Sequence, residues 1–532
     1  MDLTLIPWIL FLLLVVEHCI FLPGLLAKAG LPRWVGAVPG VNYWGVLRAI
    51  KRPWYWIFVL PVPGINLIMF TVMHVELGGT LGFKSPADRW FSALLPWIAL
   101  PKWARSASPY QAPNPALRKD GSAWAEWRES LVWAIVVASM VRTLLFEAFT
   151  IPTGSMEGSM LVGDYLYVSK TAYGPKVPQT PMSVPFIHNV IPGTMWKSYN
   201  SWFSLPYFRL PGWRGVKRFD AVVFNFPHGD TIVVDPELAG HDYYAILRRE
   251  ALQMAGNDLE LYLEDPERFL QEARLKLSQG PGIQGRPLDK AENYVKRCVG
   301  MPGDLLEIRN RLVYINDAEL KQPAGVQFDY LIRFDQPASA QRAYQALGLT
   351  QVDVGSMQQD GSGLLVGLAL TEAERIALEK SGLASEIAFV DNSNRRGTLE
   401  MFPNVSSPEF DQWDPDHLGP IRIPKKGLEV ELTARNLALY DRVIRVYEGH
   451  DLRAENGQVW IDGALASTYT FAQDYYWMMG DNRHRSADSR MWGFVPETHL
   501  VGRASFVWFS KQTTAQHGES KVRWDRVFTT VT

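Results

Sequence analysis

Apolar positions divide the chain into two regimes. Up to about residue 150 they come in long runs; beyond it they come in short runs that alternate with polar residues. The first run, LTLIPWILFLLLVVEHCIFLP (3–23), is long enough to span a bilayer. AKA at 27–29 has the small-x-small form of a cleavage site, but Asp2 and no Lys or Arg precedes the run, so a retained span is expected. Glu17 and His18 near its end read as side chains reaching for the interface. A second run covers about 54–75, where Pro61 and Pro63 predict a kink. A third, WFSALLPWIAL (90–100), is short for a span and could be re-entrant. A fourth covers about 130–149, SLVWAIVVASMVRTLLFEAF, with Arg142 and Glu147 towards its far end.

Charge orients these runs. Lys28, Arg33, Arg48, Lys51 and Arg52 fall in 24–53, and Lys102, Arg105, Arg118, Lys119 and Arg128 fall in 102–128. The intervening 76–89 holds only Lys84 and Arg89 against Glu76 and Asp88. The excess of basic residues puts the two outer loops in the cytoplasm, which requires four crossings with the N-terminus outside. Residues 1–129 are therefore expected to form a membrane region of about three transmembrane or re-entrant helices, and 130–149 a final transmembrane helix leading outward. Trp8, Trp44, Trp54, Trp56, Trp90, Trp97 and Trp103 fall near run ends, where indole rings favour the headgroup zone.

Beyond residue 161 the pattern shortens. LVGDYLYVSK, FDAVVFNFP, TIVVD, YVKRCVGM, DLLEIRNRLVYIND, QVWIDGAL, YYWMMGD and RASFVWFS are punctuated by Gly, Pro, Asn and Asp. That pattern predicts antiparallel strands, with a hairpin turning at Arg309–Arg311. A β-rich extracytoplasmic domain is expected over 150–235, 282–326 and 393–532, interrupted twice. Residues 236–281 carry DLELYLEDPERFLQEARLKL, a solvated amphipathic helix, and 327–392 read strand, helix, two strands, helix, strand, a ferredoxin-like order.

Composition narrows the classes. At 532 residues two or more folding units are expected, and a net charge of −2 gives no reason to expect a nucleic-acid partner. Two cysteines, Cys19 and Cys298, make a disulfide framework or a Cys-based metal site improbable, and no metal or cofactor is expected.

One serine stands out. Ser155, in IPTGSM (151–156), follows the last apolar run directly. Taken alone, Gly-Ser-Met reads first as a turn serine capping the next element; as a nucleophile it needs a group to take its proton. His484, in GDNRHRSADSR with Asp481 and Asp488 nearby, is one candidate. Lys296, in ENYVKRCVGMPGD, is the other: a strand lysine among Val295, Val299 and Met301 could be desolvated and its pKa lowered. On this stretch alone the stronger reading is a strand lysine that faces solvent beside Arg297.

IPTGSM followed by GDYLYVSK, then RFDAVVFNFP (218–227), YVKRCVGMPGD (294–304) and GDNRHRSADSRMWGFVP (480–496), resemble the type I bacterial signal peptidases in order and motif detail. The membrane layout and IPKKGLEVELTARNLALYDRVIRVYEG (423–449) look like the enlarged form found in Bacteroidetes-type bacteria. The resemblance implies N-terminal transmembrane helices plus a mainly-β catalytic domain with α/β insertions, in the bacterial inner membrane with the catalytic domain outside. It implies a serine endopeptidase that removes signal peptides from exported preproteins at small-x-small sites, without a cofactor. Its partners would be preprotein signal peptides, the lipid bilayer and the secretion translocon.

Residue by residue, the resemblance implies Ser155 as nucleophile, Lys296 as general base and Ser486 as the hydroxyl that orients the lysine. The backbone N–H of Ser155 with the Thr153 hydroxyl would form the oxyanion hole, Thr standing where the family often has Ser. Phe149, Ile151, Pro152, Met156, Met160, Tyr294 and Val295 match positions that line shallow apolar pockets for small P1 and P3 side chains. Arg297 with Asp481, and Asp488 with Arg490, would be structural ion pairs. One departure is plain: many members have Pro-Thr-Leu after Ser-Met, and this chain has Glu157-Gly158-Ser159-Met160. A non-catalytic membrane-anchored receptor or scaffold is the alternative class, opposed by the presence of Ser155, Lys296 and Ser486 together. A self-cleaving repressor-type protease would need a DNA-binding head where this chain has apolar runs.

Overall fold

The computed structural model describes residues 6–60, 62, 65–113, 123–184, 186–194, 196–200, 204–229, 231–235, 238, 241–280, 282–347, 354–360, 363–455, 457–512 and 521–531. Asp2, Pro61, Pro63, Arg118 and Lys119, which entered the expected topology, lie outside them. The chain folds as two units. One comprises 1–146, 175–210 and 287–290; the other comprises 147–174, 211–286 and 291–532.

The first unit is helical; the first run lies in a helix, Ile6–Lys28, but the later helices do not follow their apolar runs. Among the described residues no helix is long and apolar enough to cross a membrane. The second run begins as a 3-10 turn, Trp54–Val59, and its helix, Ile65–Thr80, continues past the apolar stretch. The third run is divided between helices Pro86–Leu94 and Pro96–Arg105. Pro96 opens the second of these, where its missing N–H costs nothing, and Ser85 caps the first by accepting from Asp88 N–H at 3.1 Å. The fourth run does not stay helical to 149: helix Ala123–Met140 widens into a π turn at Val141–Leu145, and Phe146–Thr150 is a strand. Leu22, Leu26, Trp56, Met69, Met73, Leu100 and Trp103 form the buried core of this unit.

The second unit is built on an eight-stranded sheet. Along it run Phe146–Thr150, Asp164–Ser169, Leu500–Ser510, Ala221–Asn225, Asn293–Gly300, Tyr475–Met479 and Val495–Pro496, with Thr529–Thr530 pairing Leu500–Ser510. Ala221–Asn225 lies mid-sheet and every one of its residues is buried, as its unbroken apolar sequence AVVFN requires. Its neighbour Asn293–Gly300 pairs with it antiparallel, Lys296 opposite Val222, and with Tyr475–Met479 on the other side, Arg297 opposite Met479. A second antiparallel sheet contains the Leu305–Arg309 and Leu312–Ile315 hairpin. Its turn residues Asn310 and Arg311 have φ of 47° and 73°, the mirror-image turn that matches strand twist. Trp477 is fully buried, packs against the Phe402 and Phe494 rings and shares a core cluster with Leu306 and Ile308.

Both insertions have cores of their own. The stretch read as one amphipathic helix is two, Leu259–Glu264 and Pro266–Gln279, and with a preceding helix, Tyr243–Met254, they pack around Tyr243, Leu247, Tyr262, Phe269 and Leu277. Pro266 ends the continuous pattern, and Asp265 caps the new start by accepting from Arg268 N–H at 3.2 Å. Strands Gln327–Phe334, Val354–Asp360, Gly363–Thr371 and Glu386–Phe389, with helices Pro337–Leu347 and Glu372–Ser381, make a four-stranded antiparallel sheet. Numbered within the insert, its strands run 2-3-1-4. Trp477→Ala should destabilise the second unit by about 3–5 kcal/mol, read as a lowered midpoint in a urea melt of the purified protein.

Candidate active site

Three segments far apart in sequence meet on the main sheet. The turn Gly154–Met156 leaves the Phe146–Thr150 strand, the Asn293–Gly300 strand runs mid-sheet, and the 480–490 loop follows Tyr475–Met479. Lys296 Nζ lies 2.6 Å from Ser155 Oγ, within hydrogen-bond reach. The lysine is 3% exposed. Burial pulls its amine down from an ordinary 10.5 to about 8; Asp488 and Asp481 oppose that shift and Arg490 adds to it.

The neighbouring charges are paired off. Arg297 makes a two-pronged contact with Asp481, Nε to Oδ1 at 2.7 Å and Nη2 to Oδ2 at 2.6 Å, with both side chains at 1% exposure or less. Arg490 grips Asp488 in the same way, at 2.9 and 2.8 Å, and Asp488 also accepts from Gly480 N–H at 2.9 Å. Burial works against the charge on Asp488, but Arg490, the Gly480 N–H and Lys296 together hold its carboxyl below the usual range. Each acid near the lysine therefore has an arginine of its own, which leaves desolvation in control of the amine.

His484 is committed elsewhere. Its Nε2 lies 2.9 Å from Asp416 Oδ1, and its Nδ1 accepts from the Asp329 N–H at 3.1 Å. Ser486 is buried, but its Oγ has no hydrogen-bond partner, so the expected bond to Lys296 is not formed. The lysine amine is engaged by Ser155 instead, and Ser486 packs against the loop: a Cβ at Gly480 would lie 2.2 Å from Ser486 Oγ and 2.5 Å from Ser155 O. Thr153 is extended and exposed at the edge of the turn. Ile151, Met156 and Met160 are buried in one apolar cluster, with Phe149 and Val295 packed against it. Pro152 is exposed, and Tyr294 belongs to a different cluster, beside Phe226 and Trp492.

Four residues that sequence reasoning passed over hold the turn. Asn482, fully buried, donates its N–H to Ser155 O and its Nδ2 to Gly154 O, both at 3.2 Å. Ser159 Oγ accepts from Arg297 Nη2 at 3.1 Å, and Ser159 O accepts from Arg526 Nη2 at 3.1 Å. Buried Asp164 accepts from Leu161 N–H at 2.8 Å and from Arg526. This turn is fixed by side chains from the sheet and the C-terminal segment. Asn482 stands inside the quoted 480–490 motif, but its partner is 328 residues away and no local pattern points to it.

The depressed lysine also has a thermodynamic signature. A lowered folded-state pKa means the unfolded chain binds more protons between about pH 8 and 10.5, so stability rises with pH across that window. Lys296→Met should therefore stabilise the protein by about 3 kcal/mol at pH 7, the gain shrinking as the pH rises from about 8 and gone above 10.5. Chemical melts of both proteins across pH 7–11 check this.

Comparison with known proteins bears on the same residues. The profile of the family described as "Signal peptidase, peptidase S26" matches residues 124–346 and 430–509. A second profile, described only as a family of unknown function, matches 34–113. A signal peptidase I of Haemophilus influenzae is 23% identical over 407 residues, covering 76% of this chain and 76% of the relative. That of Buchnera aphidicola subsp. Baizongia pistaciae is 20% identical over 397 residues, covering 74% and 79%. That of Buchnera aphidicola subsp. Acyrthosiphon pisum is 43% identical over 60 residues, 11% of this chain and 19% of the relative.

Proposed function

The chain belongs to the signal peptidase S26 family, a serine endopeptidase that cleaves signal peptides, and from that premise we propose how it cuts. Ser155 is the nucleophile and Lys296 its general base. The observation that carries this is the 2.6 Å approach of Lys296 Nζ to Ser155 Oγ, with the lysine buried. At pH 7.5 a base with its pKa at about 8 is neutral in about a quarter of molecules; one at 10.5 would be neutral in about 0.1%.

The neutral amine takes the Ser155 proton as Oγ attacks the scissile carbonyl carbon. The developing oxyanion is met by the Ser155 N–H and the Thr153 hydroxyl, whose exposed position leaves it able to turn towards a substrate. The ammonium of Lys296 then protonates the departing amine, which leaves an acyl-enzyme on Ser155. Neutral again, Lys296 draws a proton from water, and the hydroxide equivalent releases the signal peptide. We place the small P1 and P3 side chains against the apolar cluster of Ile151, Met156 and Met160, with Phe149 and Val295 packed beside it.

Membrane anchorage belongs to the same proposal. In the helical unit Leu12, Leu13, Ile20, Trp54, Phe58, Trp90 and Leu94 are each more than half exposed, a density of apolar surface that water does not favour and a lipid surface does. We place the enzyme at the bacterial inner membrane with its catalytic unit outside, where a secretion translocon would deliver the preprotein.

Lys296→Ala, Lys296→Arg and Ser155→Ala should each abolish cleavage of a purified preprotein while the enzyme still accumulates. His484→Ala should retain most activity; its loss would bring the histidine back into the reaction. The rate of the parent enzyme should fall on acidification with a midpoint near the lysine value of about 8, since the protonated amine cannot accept a proton.

A further inference from the structure

The α/β insert meets the catalytic loops at its root. The chain enters it through Gly325–Asp329 and leaves at Val390, whose N–H donates to Asp329 O at 3.1 Å, so entry and exit lie side by side. Gln327 forms a bridge with Asn482: its N–H donates to Asp481 O at 2.8 Å, and its carbonyl accepts from Arg483 N–H at 2.9 Å. These two bonds straddle Asn482, the residue that holds both Gly154 O and Ser155 O. Two positions on, Asp329 accepts from Arg485 Nε at 2.8 Å and its N–H meets His484 Nδ1, which is fixed in turn by Asp416. The root thus pins the 481–485 segment along one side, and that segment pins the nucleophile from the other.

A second support reaches the far end of the same turn. A Cβ at Gly158 would lie 2.1 Å from Gly325 O, and one at Gly325 would lie 2.6 Å from Ser159 Oγ and 2.8 Å from Gly158 O. The two backbones touch with no room for a side chain on either. Ser159 Oγ is itself tied to Arg297, next to Lys296, so the contact cannot ease by swinging that hydroxyl away without losing a bond.

We infer that the root of the insert, Gly325 with Gln327–Asp329, is a positioning device for Ser155. It acts through Asn482 at the 154–155 end of the turn and through Gly158 at the other. Asn482 and Gly325 are positioning residues: neither is assigned to the substrate, and both act through backbone groups of the nucleophile turn. A displacement of about 1 Å at a reacting atom is enough to cost about 100-fold in rate, so a support of this kind is read in kcat. The inference rests on the Ser155–Lys296 reading of the site.

The test is steady-state cleavage of a preprotein by full-length Asn482→Ala and Gly325→Ala beside the parent. Both should lower kcat by about 10-fold or more, with KM within about 2-fold. The midpoint of the acid limb should not move, because Lys296 keeps its surroundings; a general loosening of the fold would shift it along with KM. Should Gly325→Ala fail to fold, the double variant Asp329→Asn/Arg485→Gln removes the root ion pair without adding bulk, and about a 3-fold lower kcat is expected. Unchanged kcat in Asn482→Ala, or in both root variants, overturns the inference, as does a change confined to KM. Ser155→Ala and Lys296→Met in the same series separate the two failures. If they still cleave, the dyad is wrong; if they are inert while the root variants run at full kcat, only the positioning role falls.

Discussion

A lysine amine serves as a base near neutral pH only where water is kept from its charged form. On the proposed Ser155–Lys296 reading, that constraint organises the unit that carries the two residues. Lys296 comes from a strand flanked on both sides, with Val222 opposite it on one neighbour and Arg297 beside it paired to Asp481. A surface lysine in the same sequence would hold its proton; here burial is the largest influence and it acts against the charge. The cost is borne by the fold, since a buried amine contributes less to stability than an apolar side chain of similar size.

The same constraint explains the company Lys296 keeps. A free carboxylate close by would restore the proton that burial removes. Asp481 and Asp488 are both close enough to oppose the shift, and each is neutralised by a buried arginine in two-pronged contact. Buried pairs of this kind are weak evidence for added stability, because desolvation offsets much of their attraction. Their value here is geometric and electrostatic. Arg297 joins the 480–490 loop to the strand beside Lys296 and reaches Ser159, while Arg490 ties that loop to Pro415 O and Arg483 O. The ion pairs hold the loop that holds the serine.

How much of this could be read beforehand depended on the range of the interaction. Local signals carried far: alternating runs marked the strands, and the hairpin at Arg309–Arg311 followed from its flanking periodicity. Apolar runs in the first 150 residues carried less. They report hydropathy, whereas helix ends are set by proline and by capping, so the structure breaks at Pro96 and turns to strand at Phe146 inside runs that looked continuous. The helical insertion failed for a related reason, Asp265-Pro266 restarting a helix within one charged pattern. At the site, the motifs pointed to Ser155 and Lys296, which the geometry brings together, but not to Asn482, whose bonds to the turn reach more than three hundred residues back along the chain.

That last point bears on why an insertion sits where it does. The segment between the Lys296 strand and the 480–490 loop is the longest connection between the parts of the site, and the α/β insert occupies it with its own core and adjoining ends. A module with adjoining ends can be accommodated without stretching the sheet, since the chain returns to where it left. Adjoining ends do not make it a bystander, however. Its first strand begins before its core does: Gln327 already pairs with the 481–483 backbone, and Gly325 already abuts Gly158, before Tyr330, Ile332 and Phe334 turn into the insert's interior. A single strand is thus anchored in the insert at one end and against the catalytic turn at the other. Strands transmit displacement along their length better than loops do, because each residue is fixed by its ladder bonds. Any partner that shifts the insert as a body must therefore move the root with it or break those bonds.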